Sequence, residues 1–168
     1  MFALDVLADA LGGGMSSRLF QCVREKLGAA YYVSASTGYH TDCGQLTVRA
    51  GLDNTKAKIV LKAVLNEMKK FVDKKITNEE LQRAKDHLSG NLILGLETSD
   101  AQAVFYGGQE ILTKSVLSPQ EVLQNIKSVT ADDILSVAKQ VFRDDRLNLA
   151  VIGPFKDFRE FEEDLRFI

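Results

Sequence analysis

The chain has 168 residues, of which 45% are hydrophobic and 26% are charged, and its formal net charge is −2. This length allows one domain that buries about 70% of the surface of its unfolded chain, so a core can form without disulfides or metals. The near-neutral charge excludes a broad attraction to nucleic acid or to an anionic membrane, and no apolar run approaches the ~20 residues of a bilayer-spanning helix.

The two cysteines form neither a C-x-x-C pair nor a disulfide framework. We interpret Cys22 and Cys43 as reduced thiols, which favours the cytoplasm over the periplasm. The first residues also lack the basic start and apolar stretch of a secretory signal. We therefore expect a soluble chain without a membrane partner.

Two helices separated by glycines are the first predicted elements. Apolar residues at helical spacing predict a helix over residues 2–11. Gly12–Gly14 follow, and we expect them to end this helix in a left-handed turn that a Cβ atom would oppose. Ser16 or Ser17 is expected to cap the second helix, which Gly28 ends.

A β-hairpin is predicted next, because side chains alternate between apolar and polar over residues 31–40 and 45–52. Its turn places His40, Asp42 and Cys43 within four positions, and all three carry atoms that can bind a metal. Polar residues collect in hairpin turns for conformational reasons, so we favour a turn over a zinc site.

Five helices are predicted after the hairpin. Three of them begin at capping boxes that start at Thr77, Ser118 and Thr130, whose side chains can satisfy amides that a helix start leaves open. The five helices are expected over residues 54–72, 78–97, 99–113, 119–127 and 131–142.

The stretch LNLAVI, Leu147–Ile152, predicts a short strand that is apolar on both faces and therefore lies inside the sheet. The order of elements favours the α+β class, as a two-layer α/β sandwich with a mostly antiparallel sheet covered by helices. Because three strands make a thin sheet, we expect another strand before Met1 or from a partner. We assign residues 1–155 to one domain and residues 156–168 to an amphipathic C-terminal tail.

Three stretches in order are LADALGGGMSSRLFQCVREKLGAAYYVSAST, LSPQEVLQNIKSVTADDILSVAKQVF and LNLAVIGP. In this combination the chain resembles the pitrilysin and insulinase-like zinc peptidases, which include the mitochondrial processing peptidases, over residues 2–155. The resemblance implies a metallohydrolase fold like that of LuxS and mitochondrial processing peptidase, here lacking its first strand. The chain then looks like a fragment of a longer protein.

In that family, two similar α/β domains close over an unfolded peptide, and the first carries zinc on a His-x-x-Glu-His motif. This chain has only His40 and His87 and lacks the motif. The resemblance therefore implies a non-catalytic, C-terminal-type domain that holds no cofactor and is inactive alone. Zinc is expected in an N-terminal catalytic domain or a partner subunit, with unfolded peptide as substrate.

The second domain of the family carries an arginine and a tyrosine seven residues apart, and Arg24 and Tyr31 match them in REKLGAAY. The resemblance implies that both contact substrate near the scissile bond, where a guanidinium and a phenol can donate hydrogen bonds to a carbonyl. It also implies that Gly12, Gly13 and Gly14 line the substrate channel. No catalytic residue is expected within this chain.

Three readings of these residues stay open. The first is the metalloendopeptidase half just described, and the second is a structural or peptide-binding subunit of the same fold that takes no part in catalysis. The third is a small-ligand enzyme that uses the glycine turn, although no lysine follows the glycines as it would in a phosphate loop.

Arg18 is interpreted as structural, bonding carbonyls at a helix junction. In isolation we expect a homodimer or strand exchange through an open sheet edge.

Overall fold

The structure is a computed structural model that describes residues 1–157 and 159–167. Its elements follow one another as a helix, a π-helical segment, a hairpin and a run of helices. They are α1 (Phe2–Gly12), the π-helical segment (Phe20–Lys26), β1 (Ala30–Tyr39), β2 (Gly44–Leu52), α2 (Ala57–Asp73), α3 (Asn78–Gly95), α4 (Ser99–Thr113), α5 (Pro119–Ser128), α6 (Ala131–Val141) and α7 (Arg159–Glu162).

Helix α1 lies at the centre of the core and packs against β1, α3 and α6. Its side chains Val6, Leu7 and Leu11 are all 0% exposed. A Cβ atom on Gly12, at the end of this helix, would overlap the backbone nitrogen of Ala35 in β1. Glycine at this position therefore allows the helix and the strand to approach closely.

The predicted left-handed turn at Gly12–Gly14 is wrong. Gly13 has φ −79° and ψ −25°, which is right-handed helical geometry. Among the residues described, Gly28 is the glycine with positive φ, at +52°. Two of the three glycines are explained by crowding instead, because a Cβ atom on Gly12 would overlap the backbone of Ala35 and one on Gly13 would overlap the carboxylate of Asp9.

The antiparallel hairpin is confirmed, with each strand beginning one residue earlier than predicted. Val33 pairs with Ala50 and Ala35 pairs with Val48. Val33 and Ala35 are buried, and Val48 and Ala50 pack against the same core. One face of the hairpin is therefore covered by the helices, as the alternating pattern predicts.

All three predicted capping boxes are present. The hydroxyls of Thr77, Ser118 and Thr130 each accept a hydrogen bond from the backbone N–H three residues later, at 3.2, 3.3 and 3.2 Å. In return, the carboxylate at that later position accepts from the backbone N–H of the cap residue. These reciprocal bonds explain why the helix starts were predicted correctly.

The strand predicted over Leu147–Ile152 is wrong. Within residues 1–157 and 159–167 the sheet has two strands, and this segment has no ladder partner. Ile152 is fully exposed, and Leu149 and Val151 are exposed by 39% and 42%. A strand that is apolar on both faces needs neighbours that cover it, and the described residues supply none.

The described part of the tail packs on the domain. Phe161 is 5% exposed, and the carboxylate of Asp164 lies 3.1 Å from the ammonium of Lys62. The backbone N–H of Phe167 donates to Asp144 at 2.7 Å. Residues 158 and 168 of the predicted tail lie outside the described residues, and the division at residue 155 stays a prediction.

Helix α4 contrasts with the other long helices, because none of its side chains is buried. Val104 and Ile111 are exposed by 75% and 78%. In the part of the chain that the structure describes, no helix is long and apolar enough to cross a membrane.

Candidate substrate-contact site

The helix that carries Arg24 is wound as a π-helix. The N–H of Leu27 donates to the carbonyl of Cys22, five residues earlier, at 3.1 Å. Gly28 follows with φ +52°, and the N–H of Ala29 then reaches the carbonyl of Val23 at 3.0 Å. This left-handed position suits glycine, and it turns the chain directly from the helix into β1. The predicted helix end at Gly28 is confirmed.

Arg24 lies on the exposed side of the π-helical segment. Its guanidinium carbon lies 5.2 Å from the centre of the Phe20 ring. Among the residues described, no hydrogen bond or ion pair engages its side chain. A cation stacked on an aromatic ring is oriented while its N–H groups stay free to donate.

Arg18 differs from Arg24 in its surroundings. Its guanidinium donates two hydrogen bonds to the carboxylate of Glu80, at 2.8 and 3.2 Å, and stacks on the Phe71 ring at 3.9 Å. These hydrogen bonds lower the pKa of Glu80. Arg18 is therefore structural, as the sequence indicated, although its partner is a carboxylate rather than backbone carbonyls.

Tyr31 lies at a β-bulge at the start of β1. Ala30 pairs with Leu52 and Tyr32 pairs with Gly51, so Tyr31 is the extra residue on its strand. Its side chain is 76% exposed. A bulge redirects a side chain relative to the regular pleat, and such bulges are common beside active sites.

The π-helical segment packs against β1, so Arg24 and Tyr31 flank the same turn. The ammonium of Lys56 donates to the carbonyl of Gly28 at 2.9 Å and ties this turn to the start of α2. No hydrogen bond or ion pair joins the side chains of Arg24 and Tyr31 to each other in the region that the structure describes. Arg24 is oriented by its stack on Phe20, and Tyr31 is oriented by the β-bulge.

The segment after Gly12 borders a concave surface of about 390 Å³. Gly14 lines it, whereas Gly12 is the buried last residue of α1 and is not among the lining residues. The Nδ1 atom of His87 lies 2.7 Å from a carboxyl oxygen of Asp9, within hydrogen-bond distance, and burial raises the pKa of Asp9. The charged residues that line this concave surface include three carboxylates and one guanidinium. This excess of negative charge disfavours the binding of phosphate or a nucleotide here.

The described residues do not form a set of zinc ligands. Within residues 1–157 and 159–167, no group of three or more His, Cys, Asp or Glu side chains is placed to hold a metal ion. His40 lies in the exposed hairpin turn, where its backbone N–H donates to the carbonyl of Cys43 at 2.9 Å. His87 is engaged with Asp9.

Residues 1–88 match a family model described as the peptidase M16 inactive domain. The chain belongs to the peptidase M16 family. This M16 chain is 42% identical over 156 residues to an uncharacterized zinc protease of Streptomyces coelicolor, covering 93% of the chain and 34% of that protein. It is 34% identical over 161 residues to an uncharacterized zinc protease of Rickettsia felis, covering 96% and 38%. The chain thus spans little more than a third of these relatives.

Solved structures agree with this assignment of the M16 chain. A conserved protein from Enterococcus faecalis is similar with a TM-score of 0.72 and 33% identity, covering 83% of this chain and 32% of that one. The peptidase M16 inactive domain from Pseudomonas fluorescens shares the fold, with a TM-score of 0.71 and 23% identity over 83% of this chain and 33% of that one. The α+β fold and the resemblance inferred from the sequence are confirmed.

Arg24 and Tyr31 stay a prediction from the resemblance, and the sequence did not predict the backbone irregularities that carry them. The π-helical winding leaves no mark on the apolar periodicity of the second helix. The bulge has a faint signal, since the doubled tyrosines at 31 and 32 disturb the alternation at the start of the strand.

Proposed function

We propose that this M16 domain forms one half of a peptide-binding chamber in a zinc-dependent metalloendopeptidase and supplies Arg24 and Tyr31 to its substrate. Zinc would be held by an N-terminal catalytic domain or a partner subunit, and the substrate would be an unfolded peptide. Support comes from relatives that are named zinc proteases and are about three times as long as the matched region. That length leaves room for a second domain.

The observation that carries the proposal is the placement of two exposed hydrogen-bond donors on either side of one turn. Arg24 and Tyr31 flank Gly28, and neither side chain has a polar partner among the described residues. A guanidinium and a phenol can both donate to a peptide carbonyl, and such donors gain strength as the oxygen becomes more negative. Their effect on cleavage would exceed their effect on peptide binding.

The test compares Arg24→Ala and Tyr31→Phe in the full-length parent, or in the complex if the zinc site is on another chain. We expect each variant to lower kcat/KM by about 100-fold, the usual effect of removing one donor to a developing oxyanion. Arg143→Ala and Tyr106→Phe are matched controls, because Arg143 is paired with Asp145 and Tyr106 lies on α4. Both controls should cleave peptide normally.

Urea unfolding of the same variants separates function from folding. Since Arg24 and Tyr31 are exposed, their substitution should change the free energy of unfolding by less than about 0.5 kcal/mol. Wild-type cleavage by both Arg24→Ala and Tyr31→Phe would refute the assigned roles.

A non-catalytic, peptide-binding subunit of the same fold is the second candidate. The description of the matching family model as an inactive domain favours it. A His-x-x-Glu-His motif in the parent or in its partner chain supports the peptidase. Without that motif, an unfolded peptide should still bind and should bind more weakly to Arg24→Ala.

A further inference from the structure

A second surface lies between the π-helical segment and α2, where an open groove has a volume of about 690 Å³. Its apolar lining includes Leu27 and Ile59, which are 41% and 52% exposed. Neither Arg24 nor Tyr31 is among the residues that line this groove. The apolar part of the lining is formed by Cys22, Leu27, Ile59, Ala63 and Leu65.

The rim of the groove is cationic. Lys62 and Lys69 of α2 and Arg166 of the tail lie along it, and Asp73 is the carboxylate among the lining residues. In the part of the chain that the structure describes, Lys69 and Arg166 make no ion pair. This local excess of positive charge stands out on a chain whose formal net charge is −2. An apolar floor with a cationic rim is complementary to an anionic ligand that carries apolar groups.

A carboxylate of the tail, residues 156–168, already pairs with one of the rim cations. The carboxylate of Asp164 lies 3.1 Å from the ammonium of Lys62 at the groove edge. Three positions earlier, Phe161 is buried and its ring meets that of Phe155 edge to face, with centroids 5.0 Å apart. The stretch EFEEDL, residues 160–165, therefore combines an apolar anchor with a carboxylate on a rim lysine.

We propose that the groove binds an acidic peptide segment with apolar side chains, contributed in trans. Apolar side chains of the peptide would lie on Ile59 and Leu27, and its carboxylates would pair with Lys69 and Lys62. Asp164 of the tail competes for Lys62, so the tail weakens binding without filling the groove. The peptide is favoured over a fatty acid because the rim cations are spread over α2 and the tail, whereas a fatty acid carries one carboxylate.

The probe is a fluorescein-labelled peptide Glu-Phe-Glu-Glu-Asp-Leu with a blocked C-terminus, titrated with the whole chain at low salt and followed by anisotropy. Saturable binding is expected, and Lys69→Glu should weaken it by about fivefold, the upper range for one exposed charge pair. Lys139→Glu on α6 makes the same charge reversal outside the groove and should leave affinity unchanged. Lys69→Gln repeats the test without a reversed charge if Lys69→Glu folds poorly.

Two further measurements test the sharing of Lys62 and the class of ligand. Asp164→Asn should tighten peptide binding by about threefold, since it releases Lys62 from the tail. Unchanged or weaker binding by Asp164→Asn would overturn the competition. The proposal fails if the peptide does not bind, if Lys-Phe-Lys-Lys-Lys-Leu binds equally well, if Lys139→Glu weakens binding as much as Lys69→Glu, or if laurate binds and the peptide does not.

Discussion

The contact between α1 and β1 at Gly12 can be tested by adding a single methyl group. Alanine at this position would place its Cβ onto the backbone nitrogen of Ala35, 2.8 Å from the Cβ of Ala35 and 3.0 Å from the carbonyl carbon of Ser34. Two of these three atoms belong to the backbone of β1, which no rotamer change can move. Overpacking of this kind costs about 1–3 kcal/mol, and the better helix propensity of alanine offsets at most about 1 kcal/mol.

Gly90 is the matched control for this substitution. It lies inside α3, where an added Cβ atom would meet no other atom within 4 Å. Gly90→Ala should therefore stabilise the domain by about 0.5–1 kcal/mol through helix propensity alone. Gly12→Ala should destabilise it by about 1–2 kcal/mol, so the two variants should differ by about 1.5–3 kcal/mol.

Urea unfolding followed by far-ultraviolet circular dichroism measures both values. For a chain of this size, 1 kcal/mol corresponds to about 2–4 °C in Tm, so thermal unfolding gives a second estimate. If Gly12→Ala is as stable as Gly90→Ala, the close approach of α1 to β1 does not explain the glycine, and the argument from packing is refuted.

The remaining predictions concern Arg18 and assembly. Arg18→Ala should lower the free energy of unfolding by about 1–2 kcal/mol at pH 7, because it removes two hydrogen bonds to Glu80 and a stack on Phe71. The pKa of Glu80 is lowered in the folded protein, so its interactions stabilise the wild type at pH values above the unfolded-state pKa of about 4.3. This stabilisation is lost as the pH falls through the lower pKa of the folded state. The deficit of Arg18→Ala in urea unfolding should therefore shrink at pH 3.5, and an unchanged deficit would contradict the assignment. The isolated chain should be a homodimer or strand-exchanged through an unpaired edge of the hairpin, and light scattering that finds monomer at high concentration would exclude this.

Local chemistry was sufficient to predict where three of the helices begin. A threonine or serine followed three residues later by a carboxylate begins a helix at Thr77, Ser118 and Thr130, because both halves of each capping box lie within four residues. The hairpin was equally accessible, since period-two alternation and a polar turn are properties of neighbouring residues. These elements depend little on the rest of the fold.

Features that depend on distant residues were not accessible in this way. The glycines at 12–14 were assigned to a left-handed turn. Gly12 is instead required by the close approach of the Ala35 backbone, 23 positions later in the chain. The segment Leu147–Ile152 has the composition of an interior strand, but pairing requires neighbours on both sides, and composition cannot supply them. Both errors came from explaining a pattern by its immediate surroundings.

Two departures from regular backbone geometry enclose the segment between Arg24 and Tyr31. The π-helical winding on one side forms hydrogen bonds five residues apart, and the bulge on the other leaves Tyr31 outside the ladder. Each forgoes the better hydrogen-bond geometry of a regular helix or strand, and together with Gly28 at φ +52° they lie within the twelve residues from Phe20 to Tyr31. The side chains of Arg24 and Tyr31, which these irregular segments carry, are exposed. Irregular geometry is retained most often where the direction of a side chain matters for function, which supports our proposal that these two side chains contact substrate.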